Sequence, residues 1–300
     1  GVWRPEEVGP IDVQTKNGVV DVAVADEAEA VCVAKRYLSY FQGPLAAWTA
    51  ADARHLRHLV PENRLRSYDV RAVIATLCDA ESVLELRRDF GRAMVTALVR
   101  IEGRPMGLIA NDSRVLSGAI DADAADKAAR FLQLCDAFGL PVLSLCDTPG
   151  FMVGPETETR AQVRHVSRMF VAGAALSVPV FCLVLRKGYG LGAMAMAGGG
   201  FQSPFFVAAW PTGEFGAMGL EGAVRLGFRR ELSAIADAEA REAKFRELVE
   251  LAYAKGHGIN VASYLEIDAV IDPAESRNWI LRGLRSLPTI KPSRRWVDTW

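Results

Sequence analysis

The chain has 300 residues, half of them hydrophobic and 24% charged, with a formal net charge of −1. That length allows one large domain or two smaller ones around a sizeable core, and the near-neutral balance argues against a broad nucleic-acid-binding surface. No signal-peptide pattern and no membrane-spanning apolar run is present, so no membrane association is expected. Five cysteines, Cys32, Cys78, Cys135, Cys146 and Cys182, are scattered without a CxxC, which suggests neither zinc nor a disulfide framework. A reducing, cytoplasmic setting fits best.

In chain order, residues 6–17 are polar, with Pro5 and Pro10 nearby. Residues 18–24 alternate like an edge strand. Asp26 can cap a helix whose apolar face carries Ala30, Val33, Ala34, Tyr37 and Leu38, ending by Gly43-Pro44. Residues 44–66 read as a linker with local helix signals, in which Arg54, His55, Arg57 and His58 form a solvated face. A helix over 69–78 buries Val70, Val73, Ile74 and Leu77. Residues 83–86 form a short strand. Strands over 94–101 and 106–110 follow, joined by a hairpin-like turn at Glu102-Gly103-Arg104-Pro105.

A helix over 121–138 has Asp121 at its start and Gly139 at its C′ position. It leads into a strand ending at Cys146. Then come a helix over 160–176, a strand over 180–185, a Gly/Ala/Met helix from about Leu191 and a strand over 207–210. A strongly charged, solvent-exposed helix is expected over 231–256, a late strand over 267–271 and an amphipathic helix over 276–287. Cys146 and Cys182 lie inside apolar strands and read as small buried hydrophobes. Strand–helix units about 40 residues apart suggest stacked ββα turns in an α/β fold.

Two stretches organise this pattern. Val142–Gly154 and Val180–Met194 each run from an unbroken apolar strand through a glycine turn toward a helix. Glycines there let backbone N–H groups approach a ligand, helped by the positive end of a helix dipole. Two such turns facing each other would form an oxyanion hole. Other chemistries find less support. His55, His58, His165 and His257 lack metal-ligand spacing, so no metal is expected. No GxSxG marks a serine nucleophile. Gly198-Gly199-Gly200 lacks the Lys-Ser/Thr of a phosphate loop and reads as tight packing. His165 on its helix reads as a structural or substrate-edge group.

The pair Asp147-Thr148-Pro149-Gly150-Phe151 and Arg186-Lys187-Gly188-Tyr189-Gly190 resembles the carboxyltransferase (beta) subunit of biotin-dependent acyl-CoA carboxylases, in its C-terminal half. Gly118-Ala119-Ile120-Asp121, Lys127-Ala128-Ala129-Arg130-Phe131, Cys135–Pro141, Trp210-Pro211-Thr212, Met218-Gly219 and Glu221–Val224 continue the likeness over most of residues 61–288. The resemblance implies a crotonase-like (ClpP/crotonase) ββα superhelix. Gly1–Pro10 resembles the closing portion of the family's N-terminal domain. The implied division is therefore 1–60, a remnant of that domain plus linker, and 61–300, the C-terminal carboxyltransferase domain.

The implied reaction moves a carboxyl group from carboxybiotin to the α-carbon of an acyl-CoA of the acetyl- or propionyl-CoA type. Biotin would be carried on a partner carrier protein. By likeness, Gly150, Phe151, Leu191 and Gly192 form the backbone hole for the biotin ureido oxygen, while Tyr189, Met194, Arg164 and His165 lie along the substrate. Met194 stands where the family often has an acidic residue. It either favours an alkyl group or fills core space. Expected partners are the acyl-CoA, a biotin carboxylase/biotin carboxyl carrier subunit, an N-terminal carboxyltransferase half and further copies of the chain; no nucleic acid is expected. Alternatives are the carboxyltransferase subunit of a biotin-dependent acyl-CoA decarboxylase and a non-catalytic assembly subunit.

Overall fold

The computed structural model describes every residue except Arg294 and Trp300, and the backbone but not the side chain of Pro5. Before the sheet come a short turn, α1 (Ile11–Gln14), and α2 (Glu27–Ser39). Asp26 caps α2 by accepting from the Glu29 N–H at 2.8 Å. Of its expected apolar face only Val33 and Tyr37 are partly buried and packed on the core, while Ala30, Ala34 and Leu38 stay exposed. Residues 18–24 do not form a strand. Their alternation is real, with Val20, Val22 and Val24 turned partly inward. No strand edge pairs them; Asp21 instead gives its carbonyl to the Arg87 N–H at 2.7 Å.

α3 (Val70–Leu77) is capped by Asp69 and buries Val70, Val73, Ile74 and Leu77, as its 3.6-residue spacing requires. The sheet then opens with β1 (Leu84–Leu86), β2 (Met94–Ile101) and β3 (Arg104–Asn111), all antiparallel neighbours. Glu102 and Gly103, at φ 49° and 73°, make the two-residue turn that the strand twist favours. α4 (Ala122–Phe138) runs from its Asp121 cap to Gly139 at φ 71°. β4 (Val142–Thr148), α5 (Pro155–Thr159), α6 (Gln162–Ala174), β5 (Val180–Tyr189) and α7 (Gly190–Met196) follow. β5 runs four residues beyond the expected strand end because Lys187, Gly188 and Tyr189 pair with β7.

β6 (Phe206–Ala209), β7 (Glu214–Gly216), α8 (Leu220–Gly227), α9 (Arg229–Ala234), α10 (Ala238–Gly256), α11 (Gly258–Ser263), β8 (Ala269–Val270) and α12 (Ser276–Ser286) complete the chain. The charged helix expected over 231–256 is broken in two. Asp237 accepts from the Ala240 N–H at 2.8 Å and starts α10 afresh. α10 is mostly exposed, as its charges predict.

The sheet order is β1-β2-β3-β4-β5-β6-β8, with β7 beside β5. From β3 to β6 the pairing is parallel. Both faces are covered. Met94, Leu98, Ile109, Cys146 and Cys182 pack toward α4, α6 and α7. Val95, Val99, Leu108, Leu143, Leu183 and Phe181 pack toward α3 and α12. This explains why β4 and β5 read as unbroken apolar runs. The 44–66 segment is laid on this body: Ala50 bridges Asp79, Leu56 is buried among α3 residues, and Arg57 pairs with Asp272 at 2.5 Å.

Candidate active site

β3, β4 and β5 are parallel, so their C-terminal ends meet at one edge of the sheet. The β4–β5 register shifts between Cys146 and Thr148, and Asp147 sits at that shift with 0% exposure. Its carboxylate accepts from the Lys187 N–H at 3.0 Å and from Arg186 Nη2 at 3.1 Å. Its own N–H donates to Asn111 Oδ1 at 3.1 Å. Arg186 Nη1 reaches the Arg66 carbonyl at 2.7 Å and the guanidinium lies over the Tyr68 ring, 5.0 Å from its centroid. Lys187 donates from Nζ to the Ser117 carbonyl at 2.6 Å. Burial holds that amine below the usual lysine range, although Asp147 pulls the other way. A buried charge is tolerated only when paired and hydrogen-bonded. Asp147, Arg186 and Lys187 meet that demand together, and in doing so they align the two strand ends.

Just beyond, Gly150 adopts φ 123°, a backbone open to glycine but strained for any other residue. Its N–H donates to Thr148 Oγ1 at 3.1 Å and its carbonyl accepts from the Ile120 N–H at 3.1 Å. Gly150 therefore shapes the turn, and its own amide is already engaged. The next amide, that of Phe151, has no partner among the described residues. The Phe151 ring is held edge-on to Phe170 with centroids 6.0 Å apart.

On the neighbouring strand Gly190 has φ 58°, and a Cβ there would lie 2.7 Å from the Ala217 carbonyl oxygen. α7 then starts. The N–H groups of its first turn, which include Leu191 and Gly192, have no intrahelical acceptor. Gly192 meets the first turn directly: a Cβ there would lie 2.7 Å from Gly150 Cα and 3.1 Å from the Phe151 nitrogen. Two glycines in van der Waals contact thus bring the Phe151, Leu191 and Gly192 amides into one small region. Such an array can hold an oxygen that gains negative charge during a reaction, without reorganising.

α7 also walls a cavity of about 490 Å3 lined by Met194, Phe201, Phe215, Ala217, Val261 and Tyr264 among others. Met194 is 39% exposed there, so it does not fill core space. Of the other expected substrate residues, Tyr189 is 4% exposed and donates its hydroxyl to Glu214 at 2.9 Å. Burial raises its phenol pKa far above the ordinary value. The structure therefore places Tyr189 behind the wall of this cavity, where it braces Glu214. His165 Nδ1 lies 2.7 Å from Asp126 Oδ2 on α4, and Arg168 takes the other oxygen at 2.8 Å. That ring is engaged in α4–α6 packing. Arg164 is exposed on α6. Among the described residues no cluster of His, Cys, Asp and Glu could hold a metal ion. The buried Asp147 and Arg186 appear in the sequence only as motif letters; their partners come from three separate elements.

Residues 5–294 match the family described as Carboxyl transferase domain. The chain belongs to that family. Among curated relatives it is 34% identical, over 288 residues, to the methylmalonyl-CoA carboxyltransferase 12S subunit of Propionibacterium freudenreichii subsp. shermanii, covering 93% of this chain and 54% of that one. It is 31% identical over 299 residues to the propionyl-CoA carboxylase carboxyltransferase subunit of Haloferax mediterranei, covering 96% and 57%. Among solved structures it superimposes with a TM-score of 0.87 and 60% identity on a single-chain, multi-domain long-chain acyl-CoA carboxylase, covering 94% of this chain and 28% of that one. A transcarboxylase 12S structure, described as a hexamer with methylmalonyl-CoA bound, matches with a TM-score of 0.87 and 31% identity over 99% of this chain and 59% of that one. The carboxyltransferase fold is crotonase-like, as the family resemblance implied. The chain spans about half the length of the curated relatives it matches.

Proposed function

We propose that this carboxyltransferase chain supplies the biotin-facing half of an enzyme that moves a carboxyl group from carboxybiotin to the α-carbon of an acyl-CoA. The observation that supports it most is the contact of Gly192 with Gly150 and Phe151, which gathers amides without acceptors beside an apolar cavity. Biotin on a carrier protein would supply the carboxyl group. The Phe151, Leu191 and Gly192 N–H groups fit its ureido oxygen: the site offers N–H donors with no side chain between them, which suits a carbonyl-type oxygen. Asp147, Arg186 and Lys187 keep the two turns in register. The crowding of glycines excludes bulk at the junction.

The finer reading concerns the substrate and the assembly. Met194, Phe201, Phe215 and Val261 give the cavity an apolar wall, which suits an alkyl chain longer than two or three carbons. The 60% identity to a long-chain acyl-CoA carboxylase supports the same choice. A complementary N-terminal half, whose closing portion Gly1–Pro10 resembles, would supply the hole for the thioester oxygen, in a cytoplasmic homo-oligomer served by a biotin carboxylase and carrier. No helix among the described residues is long and apolar enough to cross a membrane.

The test mixes the chain with a complementary N-terminal half and a carrier charged with labelled carboxybiotin. Label should pass to palmitoyl-CoA in preference to propionyl-CoA, and the chain alone should transfer at background level. Folded, associated components that move no label to any acyl-CoA would refute the reading.

A further inference from the structure

The cavity beside Met194 has walls from separate parts of the chain. β5 and β7 contribute Gly188, Phe215 and Ala217, and α10 contributes Ala252, Lys255 and Gly256. α10 belongs to a unit of its own. With α8 and α9 it closes over Val224, Leu232 and Leu248, a cluster separate from the two that cover the sheet. At its C-terminal end the backbone docks α10 on β7. Gly256 packs so closely on the Phe215 carbonyl that a Cβ would collide with it, and Glu214 and His257 form an isolated bridge.

Behind these walls runs a row of side chains. Tyr189 on β5 donates to Glu214 on β7 at 2.9 Å, and Tyr253 on α10 donates to Glu221 on α8 at 2.7 Å. Arg64 stands between the two pairs. Its Nε lies 3.4 Å from Glu214 Oε1, and its Cζ lies 3.4 Å from the centroid of the Tyr253 ring. Three members of the row adjoin residues that line the cavity: Tyr189 lies between Gly188 and Gly190, Glu214 precedes Phe215, and Tyr253 follows Ala252. Without Arg64 the row falls into one pair on the sheet and one on the helices. Arg64 itself comes from neither wall but from the 44–66 segment, expected only as a linker.

We propose that Arg64 is a positioning residue that sets the preference for acyl-chain length, by fixing the α10 wall of the cavity against the β5–β7 wall. The inference rests on the reading of this cavity as the site of the acyl chain. An exposed ion pair stabilises little by itself, and the Arg64 side chain is 41% exposed. The flat guanidinium does more than carry charge: it packs on the ring of one wall while it pairs with the carboxylate of the other. Its loss should therefore cost little stability while freeing α10 to shift against β7. A long alkyl chain feels that shift because dispersion contacts weaken steeply with small gaps. A propionyl group offers too few carbons to register it.

The test measures kcat/KM for palmitoyl-CoA and for propionyl-CoA on the enzyme reconstituted with a complementary N-terminal half and a charged carrier. Each variant's thermal unfolding midpoint should stay near the wild-type value. Arg64→Ala should lower kcat/KM for palmitoyl-CoA about tenfold, the scale of one methylene's worth of apolar contact, and leave propionyl-CoA within about twofold. Tyr253→Leu removes the ring that Arg64 covers and should reproduce that loss. The double variant should lose no more than either single one, since both changes break one link. Arg64→Lys keeps the charge without the flat face and should restore part of the preference. Arg54→Ala, on the same segment with Asp52 as its partner, should leave the preference unchanged. Equal losses for the two substrates, additive losses in the double variant, or the same shift in Arg54→Ala would each overturn the proposal. Met194→Asp separates this inference from the reading beneath it. If Met194→Asp shifts the preference and Arg64→Ala does not, the cavity holds the chain and Arg64 does not set its walls. If neither shifts it, the alkyl group lies elsewhere and both readings fall.

Discussion

Gly192→Ala adds one methyl group at the place where the two amide-bearing turns touch. In the wild-type structure that Cβ would lie 2.7 Å from Gly150 Cα, 2.8 Å from Gly150 C and 3.1 Å from the Phe151 nitrogen. Ordinary carbon–carbon contact is about 3.5–4.0 Å, so the turn and the helix must separate by something near 1 Å. All the obstructing atoms are backbone, and none can swing aside as a flexible side chain would. Overpacking of this kind costs about 1–3 kcal/mol, and the helix-favouring effect of alanine returns roughly 0.5–1 kcal/mol. A net loss on the order of 1 kcal/mol should leave the protein folded. The catalytic effect is larger, since displacing one oxyanion donor costs about 10²–10³ in rate. Carboxyl transfer by the reconstituted enzyme should therefore fall by that factor while acyl-CoA affinity stays within about threefold. Gly192→Val would crowd the same atoms harder and is not a mild alternative. A folded Gly192→Ala enzyme that transfers at the wild-type rate would falsify the assignment of this junction as the hole, and a matching loss of acyl-CoA affinity would assign it to the other substrate.

Three further outcomes follow from the same geometry. Asp147→Asn removes the charge that compensates buried Arg186, and breaking one side of a buried pair costs about 3–5 kcal/mol; urea unfolding should show it, and a change under about 1 kcal/mol would mean that Arg186 finds its compensation elsewhere. Lys127 is buried, donates to the Phe90 and Met94 carbonyls at 2.9 and 2.7 Å, and desolvation lowers its pKa to about 7. The unfolded chain then binds more protons than the native one between pH 7 and the ordinary lysine value, so stability should rise with pH from about 7, by at most about 1.4 kcal/mol per unit. Burial raises the thiols of Cys78, Cys135, Cys146 and Cys182 instead, so their contribution is intact below the unfolded thiol pKa of about 8.5 and is lost above it. Stability should thus peak near pH 8.5, and Lys127→Met should flatten the rising limb to what Lys187, also lowered by burial, contributes; a rising limb of unchanged slope in that variant would exclude Lys127 as a source. Finally, Met194→Asp puts a carboxylate on the cavity wall. It should cut kcat/KM for a long-chain acyl-CoA about 10- to 100-fold, the equivalent of losing about 1.5–3 kcal/mol of apolar burial, and spare propionyl-CoA; equal losses for both substrates would show that the alkyl group does not reach Met194.

Local signals determined much of this protein by themselves. The Asp26, Asp69 and Asp121 caps, the buried stripe of α3 and the glycine after α4 are decided within a few residues of chain, by hydrogen bonds the backbone must satisfy and by the helical period. The unbroken apolar runs of β4 and β5 announced a sheet covered on both faces, and the glycine motifs after them announced the family. Other features depend on which elements meet. Residues 18–24 alternate as a strand would, yet beside the edge strand β1 they give the sheet side one backbone hydrogen bond among the described residues, from the Arg87 N–H to Asp21, and no ladder forms. β7 is three residues long and exists because β5 continues far enough to pair with it. The hydroxyl of Tyr189 and the ring of His165 carry no mark in the sequence that they face Glu214 and Asp126. The most consequential case is Gly150. The sequence reading put Gly150 with Phe151, Leu191 and Gly192 in one hole; in the structure Thr148, two residues back, accepts from the Gly150 amide, and the contact with Gly192, 42 positions later, leaves Phe151 and the start of α7 as the amides we propose for the hole. A contact between two residues without side chains leaves no periodicity, charge or size to read, so only the tertiary structure could decide it.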